Sequence, residues 1–272
     1  MGGECLLKRL FLSENIEYFA PLSIEGLTGV NDRLISRLNF VPRSVIVYLV
    51  PYYAGETVNI SRYAASLDYH IVIKDINDRL IAGLREIYPK ASFSGFGDHS
   101  PIRECYAALS AGLGILGENG LLINEKYGSY VFIADIISDV APMDIGAIDK
   151  KEIKRCEGCG HCRTACPTGI LRGDGEGCLS EITQRKGELN AEEEQLIRKY
   201  NTVWGCDMCQ SVCPYNQNPK TTPVPAFLKD RITELTEKKL LSLEDESFSK
   251  RAFSWRGRGP LLRNLKITKS EK

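Results

Sequence analysis

Eight of the ten cysteines fall between positions 156 and 213, and their spacing is that of thiolate ligands. Cys156, Cys159, Cys162 and Cys166 form C-x2-C-x2-C-x3-C, with Pro167 behind. This is the bacterial ferredoxin run. Three closely spaced thiolates hold one [4Fe–4S] cube, and the fourth, before proline, turns away to a second cube. Cys206, Cys209 and Cys213, followed by Pro214, repeat the ending with only three cysteines. Two cubes need eight thiolates; the runs supply seven, and Cys178 between them completes the set. The crossover rule assigns Cys156, Cys159, Cys162 and Cys213 to one cluster, and Cys166, Cys178, Cys206 and Cys209 to the other. Zinc would suit paired C-x2-C spacing but gives no reason for the x2-x2-x3-Pro pattern. In a reducing compartment clustered cysteines are ligands more often than disulfides. His161 sits among the ligands; it is a ligand, a tuner of potential or, since four thiolates are already at hand, a solvated spacer. Two adjacent low-potential cubes make a wire that carries single electrons from an external donor to an internal acceptor.

Two cubes occupy a small part of 272 residues, so the rest of the chain must hold that acceptor. Three stretches could carry chemistry. In Gly97-Asp98-His99-Ser100-Pro101, Asp98 could donate a proton during a reduction if burial raises its pKa. The alternative is that Asp98 or Ser100 caps the helix after Pro101. Gly112-Leu-Gly-Ile-Leu-Gly117, followed by Glu118 and Asn119, follows a helix rather than a strand and so fails the context of a dinucleotide fingerprint. It is either a tight turn that approaches a cofactor or a plain helix-ending loop. The basic tail around Trp255 to Asn264 is either a contact for an anionic partner such as RNA phosphate or a solvated, partly ordered terminus.

The elements that must position these groups alternate. The apolar run at 43–50 predicts a buried strand, and 68–88 shows helical spacing that stops at Pro89. A short strand at 91–96, a helix at 102–111, and strands at 120–123 and 129–137 around a Glu-Lys-Tyr-Gly turn follow. A further helix is expected at 191–200. The fold class is α+β. An α/β domain covers 1–150, a ferredoxin-like double-cluster domain covers 151–220, and a C-terminal segment, 221–272, packs on the core. Zero net formal charge argues against a surface built mainly for nucleic acid, though not against a local basic patch. No apolar run reaches membrane-spanning length, and residues 1–10 lack a secretory signal. The expectation is a cytoplasmic protein with no membrane partner, and a monomer.

The cysteine runs, the intervening Cys178-Leu-Ser, the phrase Trp204-Gly-Cys-Asp-Met-Cys-Gln-Ser-Val-Cys-Pro-Tyr-Asn216, the block Asp98-His-Ser-Pro with Ala111-Gly-Leu-Gly, and Gly259-Pro-Leu-Leu-Arg-Asn264 together resemble the epoxyqueuosine reductase family. The resemblance runs from about Arg43 to Asn264. It implies an N-terminal domain of the reductive-dehalogenase and cobalamin-processing type, holding a base-off cobalamin. Electrons from ferredoxin or flavodoxin would reach the cobalt through the clusters, and the epoxide oxygen would be removed from epoxyqueuosine in tRNA. On this resemblance Asp98 matches the proton donor, and Asn119, Ser180 and Asp207 lie in cobalamin-contacting stretches. Cys105 stands where the family pattern has arginine, and Glu118 where it has lysine. Longer members continue into a helical-repeat domain that grips tRNA, past the point where this chain stops. A related reductase of a small molecule, a non-catalytic electron-transfer or corrinoid-reducing protein, and a flavin in place of cobalamin are the alternatives.

Overall fold

The computed structural model describes residues 2–27 and 32–269. They form two compact units. One comprises 1–51 and 70–156; the other comprises 52–69 and 157–272. The chain therefore leaves the first unit after its second strand and returns at its long helix, a crossing that no composition shift marks.

The first unit runs α1 (Gly2–Ser13), β1 (Phe19–Ser23), α2 (Asp32–Ile35), β2 (Ser44–Pro51), α3 (Tyr69–Ile87), β3 (Phe93–Gly97), α4 (Glu104–Ser110), β4 (Ile115–Leu116), β5 (Leu122–Ile123) and β6 (Val131–Ser138). Its sheet has the order β1-β2-β6-β3, and every neighbouring pair is antiparallel. All eight residues of β2 are buried, as expected of an apolar run covered on both faces. On one face Val45, Val47, Leu49 and Ile137 pack with Ala107 and Ala108 of α4. On the other, Tyr48 donates its hydroxyl to Asn77 of α3 at 2.9 Å. Asn77 in turn donates to the Phe96 carbonyl at 3.2 Å, tying α3 to β3. Gly95 and Gly97 permit that approach, because a Cβ at either would collide with Asn77 or Ile73. Helix α3 buries Val72, Ile73, Ile76, Leu80 and Leu84 and stops before Pro89.

The strand at 122–123 does not pair with 131–138 as the turn between them suggests; it pairs with β4 in a separate ribbon. Strand β6 already has both edges committed, to β2 and β3.

The second unit contains α5 (His161–Ala165), α6 (Leu179–Gln184), α7 (Ala191–Tyr200), α8 (Met208–Ser211), α9 (Glu237–Ser242), α10 (Asp245–Ser249) and α11 (Arg258–Lys269). Helix α7 opens with a reciprocal cap, in which Asn190 accepts the Glu193 N–H at 2.9 Å and Glu193 accepts the Asn190 N–H at 3.0 Å. One core gathers Ile60, Ala64, Val203, Trp204, Leu235, Phe253, Leu261 and Leu265; a smaller one gathers Leu179, Ile182, Ile197 and Ile267. Helix α11 contributes to both.

The basic tail is therefore an ordered helix and not a solvated terminus, and two of its arginines are spent inside the fold. Arg258 donates to the carbonyls of Leu240 and Leu243, each at 2.7 Å. Arg263 donates to those of Arg185 at 2.8 Å and Gly187 at 2.6 Å. Asn264, fully buried, bridges the carbonyls of Thr183 (2.7 Å) and Val203 (2.8 Å). Long side chains that satisfy otherwise orphaned carbonyls act as internal braces. Among the described residues no helix is long and apolar enough to cross a membrane.

Candidate functional site

In the first unit, Asp98 lies just past the end of β3, where the chain must turn sharply toward α4. Both Asp98 and His99 take left-handed backbone angles, with φ of 59° and 50°. Two consecutive non-glycine residues in that region store strain that surrounding contacts must hold. Asp98 is not the cap of α4: that helix starts at Glu104, its N-cap position is Arg103, and Ser100 accepts only the Ile102 N–H at 3.3 Å. The Asp98 carboxyl is instead half exposed between two imidazoles. His70 Nε2 and His99 Nδ1 each lie 3.4 Å from its Oδ2.

Behind this turn two further carboxyls meet. Glu104, on the first turn of α4, accepts the backbone N–H of Asp98. Asp135 projects from the centre of β6, opposite Val47 and Phe96, and is fully buried. The Ser100 hydroxyl and the Glu104 carboxyl face it, yet neither makes a well-formed hydrogen bond, and both Asp135 oxygens and Glu104 Oε1 are buried without a partner. Burial, reinforced by the charge of Glu104, pushes Asp135 far above the ordinary carboxylate range. Burial first, then the charge of Asp98, pushes Glu104 up to about 7. Cys105, next along α4, is a half-buried thiol raised by burial and by Glu104, and it packs against the core.

The glycine-rich turn has a packing reason. A Cβ on Gly114 would lie 2.6 Å from the Ile123 carbonyl, so glycine lets β5 close against this loop. Beyond it, Asn119 accepts the Leu121 N–H at 3.3 Å, while its Nδ2 is buried with no partner. Glu118 is exposed.

In the second unit the two Cys-Pro runs have matching local structure. Helical turn α5 precedes Cys166-Pro167 and α8 precedes Cys213-Pro214; both cysteines are extended (φ −64°, ψ 117° and φ −73°, ψ 126°). Proline favours that extension of the residue before it. No described cysteine is in a disulfide. Cys206 is pushed up to about 12 by burial and by the neighbouring charges of Cys178 and Cys209, so these three sulfurs share one neighbourhood. Burial would also raise Cys166, but N–H groups of Leu171, Thr168 and Gly169 and the Thr168 hydroxyl outweigh it and hold that thiol below its ordinary value.

The donor set fits cubes better than single ions. Among the described residues the one group of three metal-binding side chains with donor atoms within 4.8 Å of one another is His70, Asp98 and His99. A tetrahedral zinc, with Zn–S of about 2.3 Å, would draw its sulfurs to under about 4 Å. Thiolates at the corners of a four-iron cube sit further apart. His161 is exposed.

The other two expected cofactor contacts differ in what they have left to offer. Ser180, in α6, accepts Gln184 Nε2 at 3.1 Å through its hydroxyl. Asp207 is committed to the fold: its carboxylate accepts the Ser61 hydroxyl, the Arg62 N–H at 2.7 Å and Arg62 Nη1 at 3.1 Å. These bonds leave the Asp207 side chain little to offer a cofactor. The orphaned Asn119 Nδ2 is the donor here that suits a polar cofactor group. Alongside Asp207, a cavity of about 160 Å³ is lined by Ser61, Arg62, Leu179, Tyr200, Cys206 and Met208, among others.

Sequence reasoning missed His70, Glu104 and Asp135. Glu104 and His70 read as ordinary polar positions of amphipathic helices. An aspartate inside the apolar run 131–137 was the available signal, since a charged residue in a buried strand is costly without a role.

Comparison with known proteins agrees with this picture. Residues 155–216 match the family model of a 4Fe-4S double cluster binding domain. An epoxyqueuosine reductase of Cyclobacterium marinum is 32% identical over 246 residues, covering 84% of this chain and 77% of that protein. The chain spans only 53–59% of the length of other curated epoxyqueuosine reductases at 32–33% identity. The solved epoxyqueuosine reductase of Streptococcus thermophilus superposes with a TM-score of 0.75 at 26% identity, over 98% of this chain and 81% of that one. The catabolic reductive dehalogenase NpRdhA shares the fold, with a TM-score of 0.51 at 14% identity over 96% of this chain and 35% of that one.

Proposed function

Since the chain belongs to the epoxyqueuosine reductase family, we propose that it reduces the epoxide of epoxyqueuosine in tRNA, with Asp98 as proton donor. The observation that carries this reading is the strained Asp98 turn: a half-exposed carboxyl held between two histidines, on a scaffold with the reductive-dehalogenase fold. Cleaving a carbon–oxygen bond by reduction leaves charge on oxygen. A carboxylic acid positioned there removes that charge by giving up its proton.

The cysteines are assigned as two sets, Cys156, Cys159, Cys162 and Cys213 for one cube, and Cys166, Cys178, Cys206 and Cys209 for the other. The mutual influence of Cys178, Cys206 and Cys209 supports the second set. On the family resemblance Asn119, Ser180 and Asp207 lie in the stretches that would contact cobalamin; when bound, it supplies a metal centre able to pass electrons to carbon. The chain's own residues do the rest. The clusters' cysteines fix the entry of electrons one at a time from ferredoxin or flavodoxin, and Asp98 holds the proton at Oδ until the oxygen departs. His70 and His99, exposed beside it, connect that carboxyl with solvent. The protein is read as a cytoplasmic monomer.

The test is turnover of an epoxyqueuosine-containing anticodon stem-loop by the anaerobically reconstituted chain, with Asp98→Asn alongside. The expected result is loss of turnover in the variant with its iron content unchanged. Normal turnover in Asp98→Asn would remove the assignment. No reaction with the stem-loop, but reduction of the free modified base, would point to a small-molecule substrate.

A further inference from the structure

The trio around Asp98 has a geometry that proton donation by itself does not call for. His70 Nε2 and His99 Nδ1 each lie 3.4 Å from Asp98 Oδ2, and the three atoms all lie within 4.8 Å of one another. A well-formed N–H···O bond is shorter, about 2.9–3.0 Å. Two ligand atoms of a tetrahedral zinc ion, each about 2.0–2.1 Å from the metal, stand about 3.3–3.4 Å apart. Both histidine contacts therefore have the length of a tetrahedron edge.

The strained turn creates this arrangement. Asp98 and His99 are neighbours in sequence, and neighbours in an extended strand point to opposite faces. Left-handed angles at both, φ 59° and 50°, bring their donor atoms together instead. His70, in the first turn of α3, supplies the third donor. All three residues belong to the first unit. Their side chains are open to a hydrated ion, 48% exposed at His70, 47% at Asp98 and 85% at His99. The donor types narrow the choice of cation. Imidazole nitrogen suits zinc, copper, nickel and ferrous iron, whereas magnesium and calcium take shells of oxygen. Three protein ligands leave the fourth tetrahedral position to water.

We propose that His70, Asp98 and His99 bind one divalent cation of the zinc class, and that the bound cation withdraws Asp98 from proton donation. The first part stands on the geometry alone; the second rests on the reading of Asp98 as the donor. Binding moves no electrons. Asp98 gives any proton it holds to water as Oδ2 takes the cation, and both imidazoles bind through a lone pair. A carboxylate held in this way has no proton for the departing oxygen, so the cation acts as a reversible brake on the reaction.

The experiment is anaerobic equilibrium dialysis of the full, untagged, cluster-loaded chain against zinc sulfate, followed by zinc and iron analysis. One zinc per chain should be retained with the iron content unchanged. X-ray absorption at the zinc edge should show nitrogen and oxygen ligands at about 2.0–2.1 Å; a sulfur shell at about 2.3 Å would put the ion on cysteines and overturn the site. His70→Gln and His99→Asn should each lose the zinc while keeping the iron. Asparagine is the replacement at position 99 because it tolerates the left-handed backbone there.

No zinc on the parent chain, or zinc retained in both variants, would overturn the proposal. In the stem-loop assay, zinc should abolish turnover by the parent chain and a chelator should restore it. Zinc bound at the trio with turnover undiminished would overturn the second part and leave the cation site standing. Normal turnover in Asp98→Asn would instead remove the donor reading without touching the evidence for the site.

Discussion

The Asp207 carboxylate grips Arg62 twice, through the main-chain N–H at 2.7 Å and through guanidinium Nη1 at 3.1 Å, with both side chains almost wholly buried. This pair sits one residue from Cys206 and joins the 52–69 excursion to the cysteine-bearing segment within the second unit. Its isolation from water decides its energetics. Arg62→Ala leaves a buried carboxylate without its counter-ion and should cost about 3–5 kcal/mol. The exposed pair Lys74–Asp78, at 2.6 Å, should lose far less on Lys74→Ala, because water screens both charges. Denaturant melts of the two variants, compared with the parent, check the contrast.

Glu104 makes stability depend on pH. Its folded-state pKa is raised from 4.5 to about 7, so the folded protein binds its proton more tightly than the unfolded chain does. Its contribution is most favourable below pH 4.5 and is lost as pH rises through about 7. Glu104→Gln removes the penalty. Its stability relative to the parent should rise by about 2 kcal/mol between pH 5.5 and 8. Asp135, raised in the same direction, adds to the trend. Chemical denaturation at several pH values would show a flat difference if neither carboxyl is desolvated.

Cys178 is the ligand that neither Cys-Pro run supplies. Cys178→Ser should lower the iron content from about eight per chain toward four, leaving the spectrum of one cube. Iron analysis after anaerobic reconstitution reads this directly. Retention of about eight irons would move the missing thiolate elsewhere.

Trp204 anchors the larger core of the second unit. It is fully buried and donates its indole N–H to the Tyr63 hydroxyl at 3.0 Å. Trp204→Ala should destabilise by about 3–5 kcal/mol, whereas Trp204→Phe should cost less but leave the part-buried Tyr63 hydroxyl short of a donor. Thermal melts of both variants separate the packing loss from the hydrogen bond.

Local patterns in the chain were enough for the elements and the metal chemistry. Cluster ligands must be close in sequence to wrap a small cube, and proline after cysteine favours extension, so both runs were legible. Helix α7, with its cap at Asn190, and β2, an apolar run buried on both faces, were legible for the same reason: their signals lie within a few residues. What the sequence could not show was decided by distant contacts. The pairing of β5 with β4 followed from β6 being taken on both edges. The transfer of 52–69 to the second unit followed from Asp207 and Trp204, some 140 residues away in sequence, supplying its partners. The tail became a braced helix because carbonyls of Thr183, Arg185 and Val203 lay within its reach. Glu104 and Asp135 behind Asp98 belong to this second kind. Three carboxyls spread over 38 positions become one coupled group only when α4 lies on β6, because burial and mutual charge act through space and leave no trace in local spacing.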